Sequence, residues 1–355
     1  MIPPAANRKH GSQHTGCHSA NLPVEKTIPS RTWALLQLLA DGKFHSGEAL
    51  ANRLDISRAT VFNALSTAGD YGVELQRIRG RGYRLARAWQ RLEQGEILHL
   101  LGQQAGQFNI EVVPQAPSSN TLLLQRTRLK TADGNPCSGS VLAVEFQTAG
   151  RGRMGRTWCS ALGDTLTFSL LWRFDCGLNA LSGLSLAAGV AVARALKLSG
   201  AGAISLKWPN DILTSGGKLG GILIETQGDM LGPTSAVIGI GLNCTLRPNL
   251  AGLIDQPASA LDEICTNMPT RNQLLATILL ELASTLKQFT QSGFVAWRDE
   301  WEQYHIHQNK PVQLRTADGS VVNGIARGVS DNGDFCVETA QGIRRFNSGE
   351  VGSTV

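Results

Sequence analysis

A chain of 355 residues, 42% hydrophobic and 17% charged, is too long for one ordinary domain and apolar enough to bury a sizeable core. Its longest uncharged run, Cys176 to Ala193, is diluted by Asn179, Ser182, Ser185 and three glycines, which favours a buried helix over a membrane span, and seven cysteines without C-x-x-C spacing point to a reducing cytoplasm. The net charge of +5 is local: residues 1 to 90 hold 12 Lys+Arg against 6 Asp+Glu, and the remainder is close to neutral, so nucleic acid is the expected partner of the N-terminal quarter.

Residues 1–28 lack an apolar period and read as a disordered tail. The cluster His10, His14, Cys17 and His18 invites a metal, but a site without a folded frame is disfavoured, and no metal-ligating set is expected. From residue 29 a helical stripe through Trp33, Leu36, Leu39 and Ala40 stops at Asp41-Gly42. Two short helices follow, one capped by Ser46 with Leu50 and Leu54 inward, the next capped by Ser57 with Val61 and Leu65 inward, joined by the tight turn Asp55-Ile56. This is a helix-turn-helix whose second helix, opening Ser57-Arg58-Ala59-Thr60, is expected to enter the major groove. A hairpin around Gly80-Arg81-Gly82 then packs Arg77, Arg79, Arg81 and Arg84 into eight residues, a basic wing for phosphates.

From 91 to 306 strand-like runs (Val141–Phe146, Thr165–Trp172, Ala203–Trp208, Gly221–Glu225, Ala236–Leu242) mix with helix-like runs (Leu178–Leu198, Gln273–Phe289). They do not alternate one for one, so an α+β layer with a mixed sheet is expected rather than a doubly wound fold. His305 and His307 lack a third ligand and read as surface residues. Residues 307–355 carry short strands with turns at Asp318-Gly319 and Asn332-Gly333, hence a small β-barrel.

The stretch Gly150 to Arg156, G-R-G-R-M-G-R, matches the dinucleotide fingerprint letter by letter. Its context does not. Nine residues separate Gly155 from the strand at Thr165, too few for the crossover helix that a parallel βαβ unit requires. A strand-loop-strand remains, without the G-K-[ST] of a phosphate loop or the companion motifs of a kinase. Glycines that allow close approach and arginines with forked donors suit a loop that orders over a charged ligand. Downstream, K-W-P-N-D at 207–211 and K-L-G-G-I-L-I-E at 218–225 place cations, an amide and an acid at strand ends.

With I-G-I-G-L-N at 238–243, these motifs resemble biotin protein ligase, and the helix-turn-helix makes residues 31–352 resemble the bifunctional form that is also the biotin operon repressor. The resemblance implies a class II synthetase-like catalytic domain with a mixed sheet and an SH3-like C-terminal barrel. It implies formation of biotinyl-5′-AMP from biotin and ATP with Mg²⁺, then transfer of biotin to one lysine of a biotin carboxyl carrier protein. It places Ser118, Ser119 and Asn120 at the biotin-contacting turn, with Pro117 where the family carries Asp. Gln147 stands beside the biotin head group, and Arg151, Gly152 and Arg153 lie in the loop closing over biotin and adenylate. Gly150, Arg156, Trp158 and Asn210 fall on the adenylate side, with Trp158 on adenine. Lys218 meets the biotin carboxyl end, Asp211 pairs with Asn210 near the phosphates, and Arg153, Lys218 and Asp211 are the catalytic expectations. The same resemblance implies a homodimer on operator DNA, contacted by Ser57, Arg58, Thr60, Arg77, Arg79 and Arg81. A lipoate protein ligase typically lacks both the DNA-binding head and the G-R-G-R loop; a regulator that only senses biotin is the other alternative.

Overall fold

The computed structural model describes residues 27–128, 137–247, 251–252, 254 and 256–353; residues 1–26 of the expected tail, with the His/Cys cluster, lie outside these, but its last residue, Ile28, is buried in the N-terminal core and exchanges two 2.9 Å hydrogen bonds with the Gln115 amide, which corrects the tail's end. The N-terminal unit runs α1 (Ser30–Leu38), α2 (Gly47–Leu54) and α3 (Arg58–Ser66), then a hairpin of β1 (Leu75–Ile78) and β2 (Gly82–Leu85). Both predicted caps form: Ser46 Oγ accepts from Ala49 N and Ser57 Oγ from Thr60 N, each at 3.0 Å. Asp55 takes the left-handed conformation (φ 52°) that makes the turn between α2 and α3 tight. Trp33, Leu35, Leu36, Leu50, Val61 and Leu65 close the core.

The central unit begins with α4 (Gln94–Leu101), β3 (Asn109–Ala116), α5 (Ser119–Arg128), β4 (Ser140–Gln147) and β5 (Thr165–Phe174). It continues through α6 (Leu184–Leu198), β6 (Ser205–Lys207), β7 (Asp211–Thr214), β8 (Gly217–Gly228) and β9 (Thr234–Asn243) to α7 (Arg271–Ser292) and α8 (Arg298–Tyr304). Seven strands form one sheet in the order β3-β4-β5-β9-β8-β7-β6, parallel only between β3 and β4. The antiparallel β4–β5 pairing bears out the rejection of a dinucleotide fold. The expected helix Leu178–Leu198 is shorter: a 3₁₀ turn (Leu178–Leu181) precedes Gly183 at φ 79°, and the α-helix starts only at Leu184. Ser182-Gly183 breaks the stripe, and α6 is a core helix, its Ala187–Ala193 segment wholly buried.

Alternation along the central strands divides the sheet into two faces. Leu166, Phe168 and Leu170 of β5 and Ile238 and Ile240 of β9 pack under α6 and α7. Their neighbours Leu171 and Val237 turn to the opposite face, where Leu123 of α5 joins them.

The segment between the N-terminal unit and α4 is tied down. Trp89 stands edge-on to Trp33 at 5.4 Å and shares the first core with Leu162 of the central unit. Arg271 and Glu145, both buried, form an ion pair at 2.7 Å. Arg271 also donates to the carbonyls of Gln90 and Thr165, and Glu145 accepts from Leu92 N. Buried charges are tolerated where every hydrogen-bonding position finds a partner.

The C-terminal unit is an antiparallel sheet of β10 (Pro311–Arg315), β11 (Val321–Val329), β12 (Phe335–Thr339), β13 (Gly342–Phe346) and β14 (Glu350–Ser353). The reading of His305 and His307 as surface residues is corrected here. Both are buried where this unit meets the central one, His305 against Trp301 and Phe335, and burial pushes each ring down to about 4. Sequence spacing tested them only for metal ligation, whereas their aromatic faces are what packs.

Candidate functional site

A cavity of about 610 Å³ opens on the α5 side of the sheet. Its floor follows from the second register of β9, where Gly239, Gly241 and Asn243 alternate with the inward isoleucines. Absence of side chains is what makes room: a Cβ on Gly239 would lie 2.1 Å from Asn120 Oδ1, and one on Gly241 2.5 Å from the Trp158 ring. Asn120 and Trp158 therefore rest directly on the strand.

The turn into α5 is held from every side. Ser118, Ser119 and Asn120 are buried. Gln147 Oε1 accepts from Ser119 N at 2.7 Å, and Ser169 Oγ lies 2.7 Å from Ser119 Oγ and 2.6 Å from Asn120 Oδ1. Asn120 Nδ2 donates to Leu223 O at 2.9 Å and Glu225 Oε2 at 3.1 Å. Pro117, the departure from the family pattern, leaves the turn intact: its carbonyl accepts from Ala149 N at 2.9 Å, and the Ser118 hydroxyl takes Thr121 N at 3.4 Å.

Between β4 and β5 the arginine loop folds into a narrow excursion. Arg151 bridges Thr157, Gly152 N donates to Arg156 O at 2.7 Å, and a 3₁₀ turn spans Arg153–Gly155 with Met154 at φ 53°. Its three arginines diverge. Arg151 meets Glu225 at 2.9 Å and Thr121 Oγ1 at 3.0 Å, while Arg156 meets Glu350 of β14 at 2.9 Å. Arg153 turns inward, with Nη1 3.5 Å from Asn210 Oδ1, and burial holds its guanidinium below the usual range against the pull of Asp211.

Opposite the loop, Lys218 of β8 and Asp211 of β7 form an ion pair at 2.7 Å, both mostly buried. Lys218 N donates to Pro257 O, and its carbonyl accepts from Ser259 N and Asn243 Nδ2, so the cation is fixed by its backbone. Asn210 exchanges bonds with Ile222, Nδ2 to O at 2.9 Å and O from N at 3.0 Å. Behind this corner Trp208 stacks on Phe335 at 5.3 Å and donates Nε1 to Gly333 O at 3.1 Å; Ser182 Oγ holds Asn332 O at 2.6 Å.

The cavity gathers Ser118, Ser119, Asn120, Gln147, Arg151, Gly152, Arg153, Arg156, Trp158, Asn210, Asp211 and Lys218. Gly150 lies behind it, backed against the Trp158 carbonyl, where a Cβ would come within 2.4 Å. Sequence reasoning missed Ser169, Glu225 and Glu350, whose roles are long-range bonds. It also missed the two floor glycines, although the period-2 text I-G-I-G-L-N carried the signal.

On the N-terminal unit Arg58, Arg77, Arg79 and Arg81 are exposed. Arg81 and Arg84 stack on Phe44 at 4.3 and 4.7 Å. Ser57 and Thr60 are engaged with each other, Oγ to Oγ1 at 2.9 Å, in the α3 cap.

Comparison with known proteins agrees with this layout. Residues 112–243 match the biotin/lipoate A/B protein ligase family, 307–351 the biotin protein ligase C-terminal domain and 31–84 an HTH domain. The bifunctional ligase/repressor BirA of Escherichia coli is 36% identical over 92% of this chain and 97% of its own length, and that of Bacillus subtilis 30% over 88% and 94%. The biotin protein ligase of Aquifex aeolicus in complex with biotin and ATP superposes with a TM-score of 0.56 at 28% identity, covering 69% of this chain and 97% of that one. With all three units matched in order and nearly the full length of a bifunctional relative covered, the chain belongs to the biotin protein ligase family, in the form that carries an N-terminal helix-turn-helix.

Proposed function

We propose that this chain is a bifunctional, cytoplasmic biotin protein ligase and biotin-operon repressor. In this reading residues 29–90 bind operator DNA, 91–306 carry the ligase chemistry and 307–355 brace the site. The single observation that carries it is the Lys218–Asp211 pair facing the arginine loop across one cavity that Ser118–Asn120 also line.

The residue types fit the chemistry. A biotin carboxylate seated against Lys218 attacks the α-phosphorus of ATP, forming the carboxyl–phosphate bond as the bond to pyrophosphate breaks. Lys218 and Arg153 supply fixed positive charge where negative charge accumulates. Mg²⁺ would enter with ATP, held chiefly by the nucleotide phosphates, with Asp211 and Asn210 as the oxygen-bearing side chains beside them. It would neutralise phosphate charge. The mixed anhydride hydrolyses readily, so closure of the Gly150–Arg156 loop excludes water until the acceptor arrives. The lysine amine of a biotin carboxyl carrier protein then attacks the acyl carbon, AMP leaves, and Asp211 takes the proton. As repressor, the chain binds its operator as a homodimer with biotinyl-5′-AMP as corepressor, since two half-sites are needed for a module with so small a footprint.

The test is ATP–pyrophosphate exchange with biotin and, separately, with lipoate, followed by transfer to an apo carrier domain. Operator binding is then titrated with protein alone, with biotin and ATP, and with acceptor added. Exchange with biotin only, and tighter DNA binding that the acceptor reverses, are expected. Exchange with lipoate, or an unlabelled carrier, overturns the ligase reading; equal DNA affinity in all three titrations overturns the corepressor reading.

A further inference from the structure

α3 has two faces. Val61 and Leu65 are buried in the core, while Ala59, Phe62, Asn63 and Ser66 stand outward as a stripe one helix-face wide. Phe62 is 43% exposed although the core beneath it is closed, and the guanidinium of Arg77, on β1, lies over its ring at 4.7 Å. Arg58 lies in the first turn of the same helix and Arg77 of the wing stands over the ring, so the stripe carries an apolar group with cations at its rim. Ser57 and Thr60 bond to each other as the helix cap, and their hydroxyls are already engaged.

Resting on the DNA-binding reading of this domain, we infer that Phe62 and Asn63 are its specificity-determining residues and that they read an A·T-containing step in the major groove. The only atom group that a phenyl edge recognises on the floor of that groove is the C5-methyl of thymine, and a carboxamide pairs with both N6 and N7 of adenine. Neighbouring side chains on one helical face reach neighbouring base pairs. Arg77 fixes the ring from behind and contributes a phosphate contact, which positions the helix without reading sequence. The charged rim selects a nucleic acid over a protein partner, and the deep, narrow major groove of A-form RNA excludes a helix carrying such a ring.

The full chain, with biotin and ATP, is incubated with duplexes whose random core spans two half-sites, and the bound fraction is sequenced for the native protein, Phe62→Ala and Asn63→Ala. Both positions are exposed, so thermal unfolding should be unchanged. The native chain should enrich A·T steps, and remaking the best duplex with dU for each dT should weaken its binding by on the order of tenfold at the responsible position. Phe62→Ala should be indifferent to dU, Asn63→Ala should lose the adenine preference, and both should keep the native salt dependence because no phosphate contact is removed. Variants that enrich the native motif and respond equally to dU overturn the assignment while leaving DNA binding intact. A native chain that retains no duplex even at low salt overturns the DNA-binding reading itself, and the assignment with it.

Discussion

The two walls of the cavity are built on opposite terms. The sheet wall is closed upon itself: Asn120 and Trp158 seat on side-chain-free strand, Ser119 and Asn120 satisfy Gln147, Ser169 and Glu225, and Lys218 is pinned through its backbone. The loop wall is held by exchangeable contacts, with Arg151 on Glu225, Arg156 on Glu350 and Arg153 beside Asn210, contributed by three separate elements. An exposed ion pair such as Arg156–Glu350 is worth about 0–1 kcal/mol, so an arriving anion displaces it at little cost, whereas the sheet wall offers no such alternative. On the proposed reading, one wall is pre-formed for a small apolar ligand with a carboxylate, and the other is stored in a state from which it can be recruited.

Breaking the sheet wall should have the largest effect. Lys218→Ala leaves Asp211 mostly buried without its partner and removes the cation at the reacting carboxylate, so adenylation should fall about 10²–10³-fold with biotin affinity falling alongside; isothermal titration with biotin and exchange kinetics check both, and native biotin affinity would refute the position. In the loop wall, Arg153→Gly should still make the adenylate but release it about 10–100-fold faster, the loss of one charge-assisted hydrogen bond. Stopped-flow release and labelling of bystander lysines would show it. Outside both walls, His305 and His307 are neutral when buried, with folded values near 4 against 6.5 unfolded. Their packing contribution is therefore full above pH 6.5 and is lost as pH falls towards 4. The melting temperature should fall over that window, and His305→Phe, which keeps the ring stack, should flatten the fall. Least of all, Glu350→Ala should change urea-unfolding stability by no more than about 0.5 kcal/mol, because its pair with Arg156 is half exposed; a larger change would mean that the loop is locked rather than lent.

What was legible in the sequence follows the same division. The helix-turn-helix could be read residue by residue because caps and a 3.6-residue stripe are local signals, and Ser46, Ser57, Val61 and Leu65 all stand where they were expected. The arginine loop was legible because strand spacing forbade a crossover helix. Hidden were the features fixed by partners far along the chain. The edge strand β3 and the short β7 escaped because their burial depends on neighbours rather than on alternation. The Glu145–Arg271 pair spans 126 positions, and neither residue advertises the other. His305 and His307 misled because composition speaks of their ring nitrogens and says nothing of their ring faces.

The C-terminal sheet contains two turns of the same type, Asp318-Gly319 and Asn332-Gly333, with similar backbone angles (φ 85° and 80° at the glycines). At Gly319 a Cβ would meet open space; at Gly333 it would come within 2.8 Å of Gly183 Cα. The second turn also receives the Trp208 indole and the Ser182 hydroxyl. Two hairpins of one origin in the text are therefore exposed to different selection. The first can drift, lengthen or accept a tag, while the second, though it carries no reactive group, is bound to the history of the β6–β7 connection that leads through Asn210 to Asp211. In a lineage of such chains, Asn332-Gly333 should change only when Trp208 does.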